Sequence, residues 1–289
     1  MRAIAKPDYE SLLVYKKCIN SISDRDLRSR LDNVSNDIQN AAKDYEQKAI
    51  AKQLYTIIAN NSGNDEIALG TVTKKELIDV YSLHMVGKTK PAREFYDKLL
   101  SQAPLGRCPF CGIGNASTLD HFLPKTKYPQ LSVLPINLVP SCKDCNTGKN
   151  NVIPASAKKQ SLHPYFDHQN FIDEQWLFAE VIQTTPATIR FFVEVPCHWD
   201  DVSKERVQSH FVDFKLASRY AIEAGNELAG RKDMLKNYKE QHGSNALVEL
   251  LKLESKSYAK QHANSWQTAL YQALASNNWD YKECCLGGI

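Results

Sequence analysis

Two cysteine pairs in the middle of the chain, Cys108-Pro-Phe-Cys111 and Cys142-Lys-Asp-Cys145, have metal-binding spacing. A turn with two residues between thiolates lets both sulfurs reach one tetrahedral ion at about 2.3 Å, and two such turns fill its four positions. The pattern predicts a closed, structural zinc site on Cys108, Cys111, Cys142 and Cys145. Thirty residues separate the pairs. That is more than a zinc-ribbon loop needs, so something is inserted between two ends pinned by the metal. The insertion carries Asp120-His121 and Asn137, and Asn146 and Lys149 follow close behind. A histidine titrates near neutrality and can take a proton from water. Carboxylate and amide oxygens are hard donors of the kind Mg²⁺ accepts. Singly, each residue has a plainer explanation: an Asp-His pair is usually a surface turn, an asparagine a turn residue, and a lysine a solvated charge.

These residues need elements to bring them together. Ser117–Phe122 can form a short strand, Asn137–Pro140 a second, and Asp144 to about Lys149 the start of a helix. The order is strand, loop, strand, helix, with the cysteine pairs at the edges. Adjacent strand residues point to opposite faces. Asp120 and His121 can therefore serve one site only where the strand ends or bulges, and Pro124 favours an early end. Residues 104–165 hold eight of the chain's twelve prolines. Such a loop-rich module lacks a large core of its own and needs a staple.

Taken whole, LDHFLPK…NLVPSCKDCNTGK resembles the HNH nuclease family, whose ββα-metal module often carries this Cys-x-x-Cys pair. The likeness covers residues 104–155. It implies that His121 is a general base and that Asp120 and Asn146 are the oxygen ligands of a catalytic Mg²⁺ or Mn²⁺. It implies that Asn137 braces the loop and orients the histidine. Lys149, about one helical turn beyond Asn146, could reach a phosphate, and Lys125 and Lys127 are further candidates. Some members of the family carry histidine where this chain has Asn146, and the asparagine suits Mg²⁺ or Mn²⁺ better than a softer ion. The surroundings, AREFYDKLLSQAPLGRCPFCG before and SLHPYFD after, look like HNH effectors that work beside an ATPase in bacterial anti-phage systems such as the Septu type.

The flanks read mainly as helix. Residues 8–60 carry a long amphipathic pattern with Ser23 as a candidate N-cap, ended by Asn60-Asn61-Ser62-Gly63-Asn64. Helices are expected over 73–86 and over 91–102, the second opening at Pro91. WLFAEVIQ (176–183) and TIRFFVEV (188–195) read as a hairpin about Thr184-Thr185-Pro186-Ala187, and 203–275 return to helical periodicity, broken near Gly230 and at Gly243-Ser244. The fold class is therefore α+β: a mainly helical protein enclosing a zinc-stapled ββα-metal (HNH) module, with a β-hairpin after it. Its parts are 1–103, a helical N-terminal region; 104–165, the module; and 166–289, the hairpin and a helical C-terminal region.

Net charge is only +3, so the chain is no polycation, but Lys88–Lys159 holds eleven Lys/Arg against four acids. That local excess suits a polyanion, and it also suits a solvated surface. No run of 18 apolar residues and no signal-peptide stretch is present, so a cytoplasmic protein is expected. Cys18 and Cys197 read as small buried apolar residues, and Cys284-Cys285 lie too far from the end for a prenylation box. His163, in Leu-His-Pro-Tyr, reads as a structural histidine more readily than as a further ligand. Two functions stand side by side: an endonuclease acting on DNA rather than RNA, whose contacts to phosphate and sugar carry little sequence information; and a non-catalytic zinc-stapled module that grips nucleic acid or a partner protein. A pure binder has no need of a base beside a metal ligand, which favours the first.

Overall fold

The helical residues of the first half do not run on as one rod. In the computed structural model, which describes residues 1–148, 154–167, 169–182 and 188–276, they form α1 (Ser11–Ile19), α2 (Arg25–Asn33) and α3 (Ser35–Ile50). Asp24 starts α2, its carboxylate accepting the Asp26 and Leu27 N–H groups at 2.9 and 3.1 Å, so the cap is Asp24 rather than Ser23. Past α3 the chain turns through Lys52 in the left-handed region, which ends the helix well before Ala59. The short strands β1 (Ile67–Leu69) and β2 (Val72–Thr73) pair antiparallel and lead into α4 (Lys74–His84). Thr73 and Glu76 close a capping box at the start of α4, and Arg30 of α2 holds Glu76 through both carboxylate oxygens at 2.6 and 2.9 Å. α5 (Arg93–Ser101) follows two residues after Pro91.

Then come β3 (Thr118–His121), β4 (Leu138–Ser141) and α6 (Lys143–Gly148). β3 and β4 pair antiparallel in regular register, from Thr118 opposite Ser141 to His121 opposite Leu138. The Phe122 N–H continues the ladder to the Asn137 carbonyl at 2.8 Å. In an antiparallel ladder the bonded pairs alternate, so Leu119–Pro140 and His121–Leu138 are the non-bonded pairs. Pro140, which has no N–H, is tolerated there. Leu119 and Leu138 share one buried core with Val14 and Ile19 of α1, Leu77 and Val80 of α4, and Leu99 of α5. The N-terminal helices and the β3–β4–α6 segment thus belong to one compact unit, residues 2–167.

The second unit comprises the chain from 168 onward, with Met1. It contains α7 (Asn170–Asp173), the hairpin β5 (Leu177–Ile182) and β6 (Thr188–Val193), and then α8 (Asp201–Asp213), α9 (Leu216–His242), α10 (Ser244–Gln261) and α11 (Trp266–Ala275). The turn expected at 184–187 lies outside the described residues. The hairpin buries Leu177, Ile189 and Phe191 and packs on α9 and α11. The C-terminal helices break at Lys215 and Gly243, both with positive φ. Gly230 does not break them and sits inside α9. Among the described residues no helix is long and apolar enough to cross a membrane.

Candidate functional site

The four spaced cysteines converge. Their sulfurs all lie within 4.8 Å of one another and every one is buried. An ion holding four sulfurs at about 2.3 Å in a regular tetrahedron sets them about 3.8 Å apart, and the Cys111 and Cys142 sulfurs stand 3.8 Å apart. The first turn closes on backbone bonds: Gly112 N–H donates to the Cys108 carbonyl at 2.7 Å and Cys108 N–H to the Gly114 carbonyl at 2.8 Å. Gly112 has φ +73°, a conformation that glycine adopts freely. The second turn runs into α6, whose Asn146 N–H donates to the Cys142 carbonyl. Thiols this close share protons unequally. Hydrogen bonds with neighbouring thiols hold Cys111 and Cys142 low and push Cys108 and Cys145 up. The cluster can hold a zinc ion on four sulfurs, with no position left for substrate.

His121 ends β3 and is buried, 8% exposed. Its Nε2 stands 2.7 Å from the Ser132 carbonyl oxygen. A carbonyl only accepts, so Nε2 donates this bond. Ser132 is itself fixed, its hydroxyl donating to the Leu77 carbonyl of α4 at 2.8 Å. The Tyr81 ring meets the His121 ring edge to face, centroids 4.4 Å apart. Asn137, fully buried, brackets the chain just past His121. Its Oδ1 accepts the Leu123 N–H at 2.8 Å, and its Nδ2 donates to the Leu123 and Leu131 carbonyls at 3.1 and 3.3 Å.

Asp120 is as buried as His121, 6% exposed, and alternation turns it to the other face of β3. The ladder has no bulge here, and the Phe122 N–H extends it by one bond, so regular alternation sets the Asp120 and His121 side chains on opposite faces of β3. Asn146 meets β3 from α6, its Nδ2 donating to the Thr118 hydroxyl at 3.0 Å. Thr118 and Asp120 are two residues apart and so share a face. Asn146 is thus anchored to a residue on the Asp120 face of β3. Burial pushes the Tyr81 and Tyr45 phenols far up, and the Asp120 charge adds to both shifts.

Lys125 donates to the Ser82 hydroxyl at 2.9 Å and lies over the Tyr81 ring at 4.8 Å, where burial lowers its pKa. Lys127 donates to the Asn61 side chain at 3.0 Å. Both contacts are to the N-terminal helical region. Lys149 lies outside the described residues. Both ring nitrogens of His163 have protein partners: Nδ1 accepts the Tyr165 N–H at 3.2 Å, and Nε2 bonds the Tyr45 hydroxyl at 3.0 Å. Cys18 is buried, but Cys197 is exposed and does not fill a core as expected; Cys284 and Cys285 lie outside the described residues. Sequence reasoning missed Ser132, Tyr81 and Thr118. Ser132 acts through its backbone, and Tyr81 comes from a helix 40 residues upstream, so no local spacing announces either.

The chain is 37% identical over 223 residues to protein ea31 of Escherichia phage lambda, an alignment that spans 73% of this chain and 75% of the phage protein. It belongs to the ea31 family. No family model matches the chain, and no solved structure matches it. For this member of the ea31 family, the geometry around the four cysteines and His121 therefore carries the functional reading.

Proposed function

We propose that this chain is a metal-dependent endonuclease of the HNH type, hydrolysing phosphodiester bonds of DNA. The observation that carries the reading is the placement of His121, held at the end of β3 by its Nε2 contact with the Ser132 carbonyl at 2.7 Å and next in sequence to Asp120. An imidazole there is the group that can take a proton from water. Asn137 keeps the loop behind the ring in place through three hydrogen bonds, and the cysteine cluster pins the two ends of the β3–β4 segment. Asp120 of β3 and Asn146 of α6, which is anchored on Thr118, would supply two hard oxygen donors, a set that fits Mg²⁺ or Mn²⁺. When bound, that ion supplies positive charge for the phosphorane and the departing 3′ oxygen. His121 takes a proton from water as the water oxygen attacks phosphorus. The bond from phosphorus to the 3′ oxygen breaks, and that oxygen takes a proton from solvent, leaving a 5′-phosphate and a 3′-hydroxyl. One such site cuts one strand.

DNA rather than RNA as substrate, an ATPase partner and a place in an anti-phage assembly extend the proposal. They rest on the resemblance of the module and its flanks, not on the geometry of the site. The test is incubation with supercoiled plasmid in Mg²⁺ or Mn²⁺, wild type beside Asp120→Ala. Nicked, then linear, plasmid from wild type alone is the expected result. Cutting that survives Asp120→Ala at the wild-type rate, or that needs no divalent ion, would contradict the reading.

A further inference from the structure

We propose that Leu105, at the tip of the turn that precedes the first cysteine pair, is an apolar wedge that enters a base step of duplex DNA. The partner rests on the reading of DNA as the substrate; the presentation of the side chain does not.

Leu105 is 85% exposed and lies in the left-handed region, with φ 54° and ψ 27°. An L-residue is disfavoured there, whereas glycine adopts it freely. Gly106 follows at φ +70°, and a Cβ on it would meet nothing within 4 Å. The tip therefore stands clear of the chain. Single exposed leucines are ordinary on protein surfaces; one held in a disfavoured backbone conformation, with no burial to offset it, is not. The other non-glycine residues with positive φ among those described are lysines, Lys52 and Lys215. Hydrogen bonds hold the tip from both sides. Gly106 N–H donates to the Ala103 carbonyl at 3.0 Å and Arg107 N–H to the Pro104 carbonyl at 2.9 Å, while the Gly106 carbonyl accepts the Ala116 N–H at 2.9 Å. The Arg107 guanidinium closes the base of the turn, its Nη1 donating to the Ile113 carbonyl and to Asn115 Oδ1, both at 2.8 Å. The leucine is thus presented on a fixed turn, which lowers the ordering cost of inserting it. The surroundings decide the partner. In sequence, no other large apolar side chain among the described residues is exposed between Leu83 and Val212. A protein partner needs a wider apolar patch than this. Positive charge borders the tip instead: Arg107 is exposed, and so is Lys143 beside Cys142, on the other knuckle of the cysteine cluster. One apolar side chain with cations at its sides suits a base step flanked by phosphates, and such a wedge kinks the duplex so that it wraps more of the protein. The bond from Ala116 ties the tip to the site. From Ala116 to His121 the chain advances five residues, at most about 18 Å. The wedge therefore falls on the order of five base-pair steps, at about 3.4 Å each, from the phosphate that His121 would serve.

The experiment uses the full-length, zinc-loaded chain as wild type, Leu105→Gly and Leu105→Met, with zinc content and circular dichroism checking each fold. Glycine removes the side chain and suits the backbone, so the variant keeps the turn; methionine keeps an apolar side chain of similar reach. Each is titrated, without Mg²⁺ or Mn²⁺, into short end-labelled duplexes carrying 2-aminopurine at a pyrimidine–purine step, and anisotropy and 2-aminopurine emission are read. Wild type should raise the emission as the base unstacks. Leu105→Gly should lose that rise and bind on the order of tenfold more weakly, the low end for burying a leucine side chain. Its salt slope should not change, because the phosphate contacts remain. Leu105→Met should retain most of both. Wild-type emission and affinity in the glycine variant would assign the tip to another partner and overturn the proposal. Wild type that binds without raising the emission, or that does not bind duplex DNA, overturns it as well. Plasmid cutting in Mg²⁺ is scored separately. Cutting by wild type with no rise in emission removes the wedge and leaves the endonuclease reading. A rise that needs Leu105, with no cutting by any form, upholds the wedge and removes the endonuclease reading.

Discussion

Asn137 shows how much one buried side chain can decide. Both poles of its amide are spent on the loop that follows His121. Asn137→Ala would leave the Leu123 N–H and two carbonyls without these bonds in an interior site. The expected cost is about 2–4 kcal/mol, since each unsatisfied buried group costs about 1–3 kcal/mol; a urea titration would read it as a lower midpoint at unchanged slope. Aspartate should rescue little, because it accepts from Leu123 but cannot donate to the carbonyls. At this scale the sequence was legible where chemistry depends on residue type and close spacing. The cysteines met as their spacing requires, and Asn137 sits beside the histidine loop. It was illegible where a backbone atom or a distant helix does the work, as with Ser132 and Tyr81. Nor did it show that Lys125 and Lys127 reach Ser82 and Asn61.

Among the elements, α4 matters most, and its N-terminus is the part most exposed to test. The helix start at residue 73 was readable in the sequence, but the Arg30 contact from α2 was not, and it is Arg30 that chiefly draws the Glu76 carboxyl down to about 2, with the Thr73 bonds adding. A carboxyl whose folded value is depressed stabilises the fold above its unfolded value, about 4.3. That contribution is lost as pH falls from there toward 2. Wild type should therefore be more stable than Glu76→Gln at pH 7, and the difference in melting temperature should close as pH approaches 2. Thr73→Ala should cost about 1 kcal/mol at pH 7. The boundaries that sequence missed have local causes. Asp24 out-competes Ser23 as a cap, Lys52 and Lys215 turn the chain at positive φ, and Gly230 is absorbed within a long helix.

For the whole molecule, the division into residues 2–167 and the chain beyond predicts two unfolding transitions. Zinc bound on four sulfurs contributes folding free energy directly, and all four lie in the first unit. A chelator should lower one calorimetric transition and leave the second in place. The basic stretch also looks different once folded. Lys90, Arg93, Arg107, Lys125 and Lys127 donate to groups of the chain itself, whereas Lys88, Lys143 and Lys159 are exposed. Composition counts charges but does not show which of them the fold engages. If these three lysines meet phosphate, DNA binding should weaken with salt at a log–log slope of about −3.

The central claim is that His121 is the base of a hydrolytic site, and one measurement meets it most directly. Supercoiled plasmid is incubated with Mg²⁺ and zinc-loaded protein, wild type beside His121→Ala, and the nicked and linear products are quantified. The account predicts product from wild type and a loss of at least about 100-fold in the variant, the scale of general-base catalysis. Equal cutting by both would contradict it.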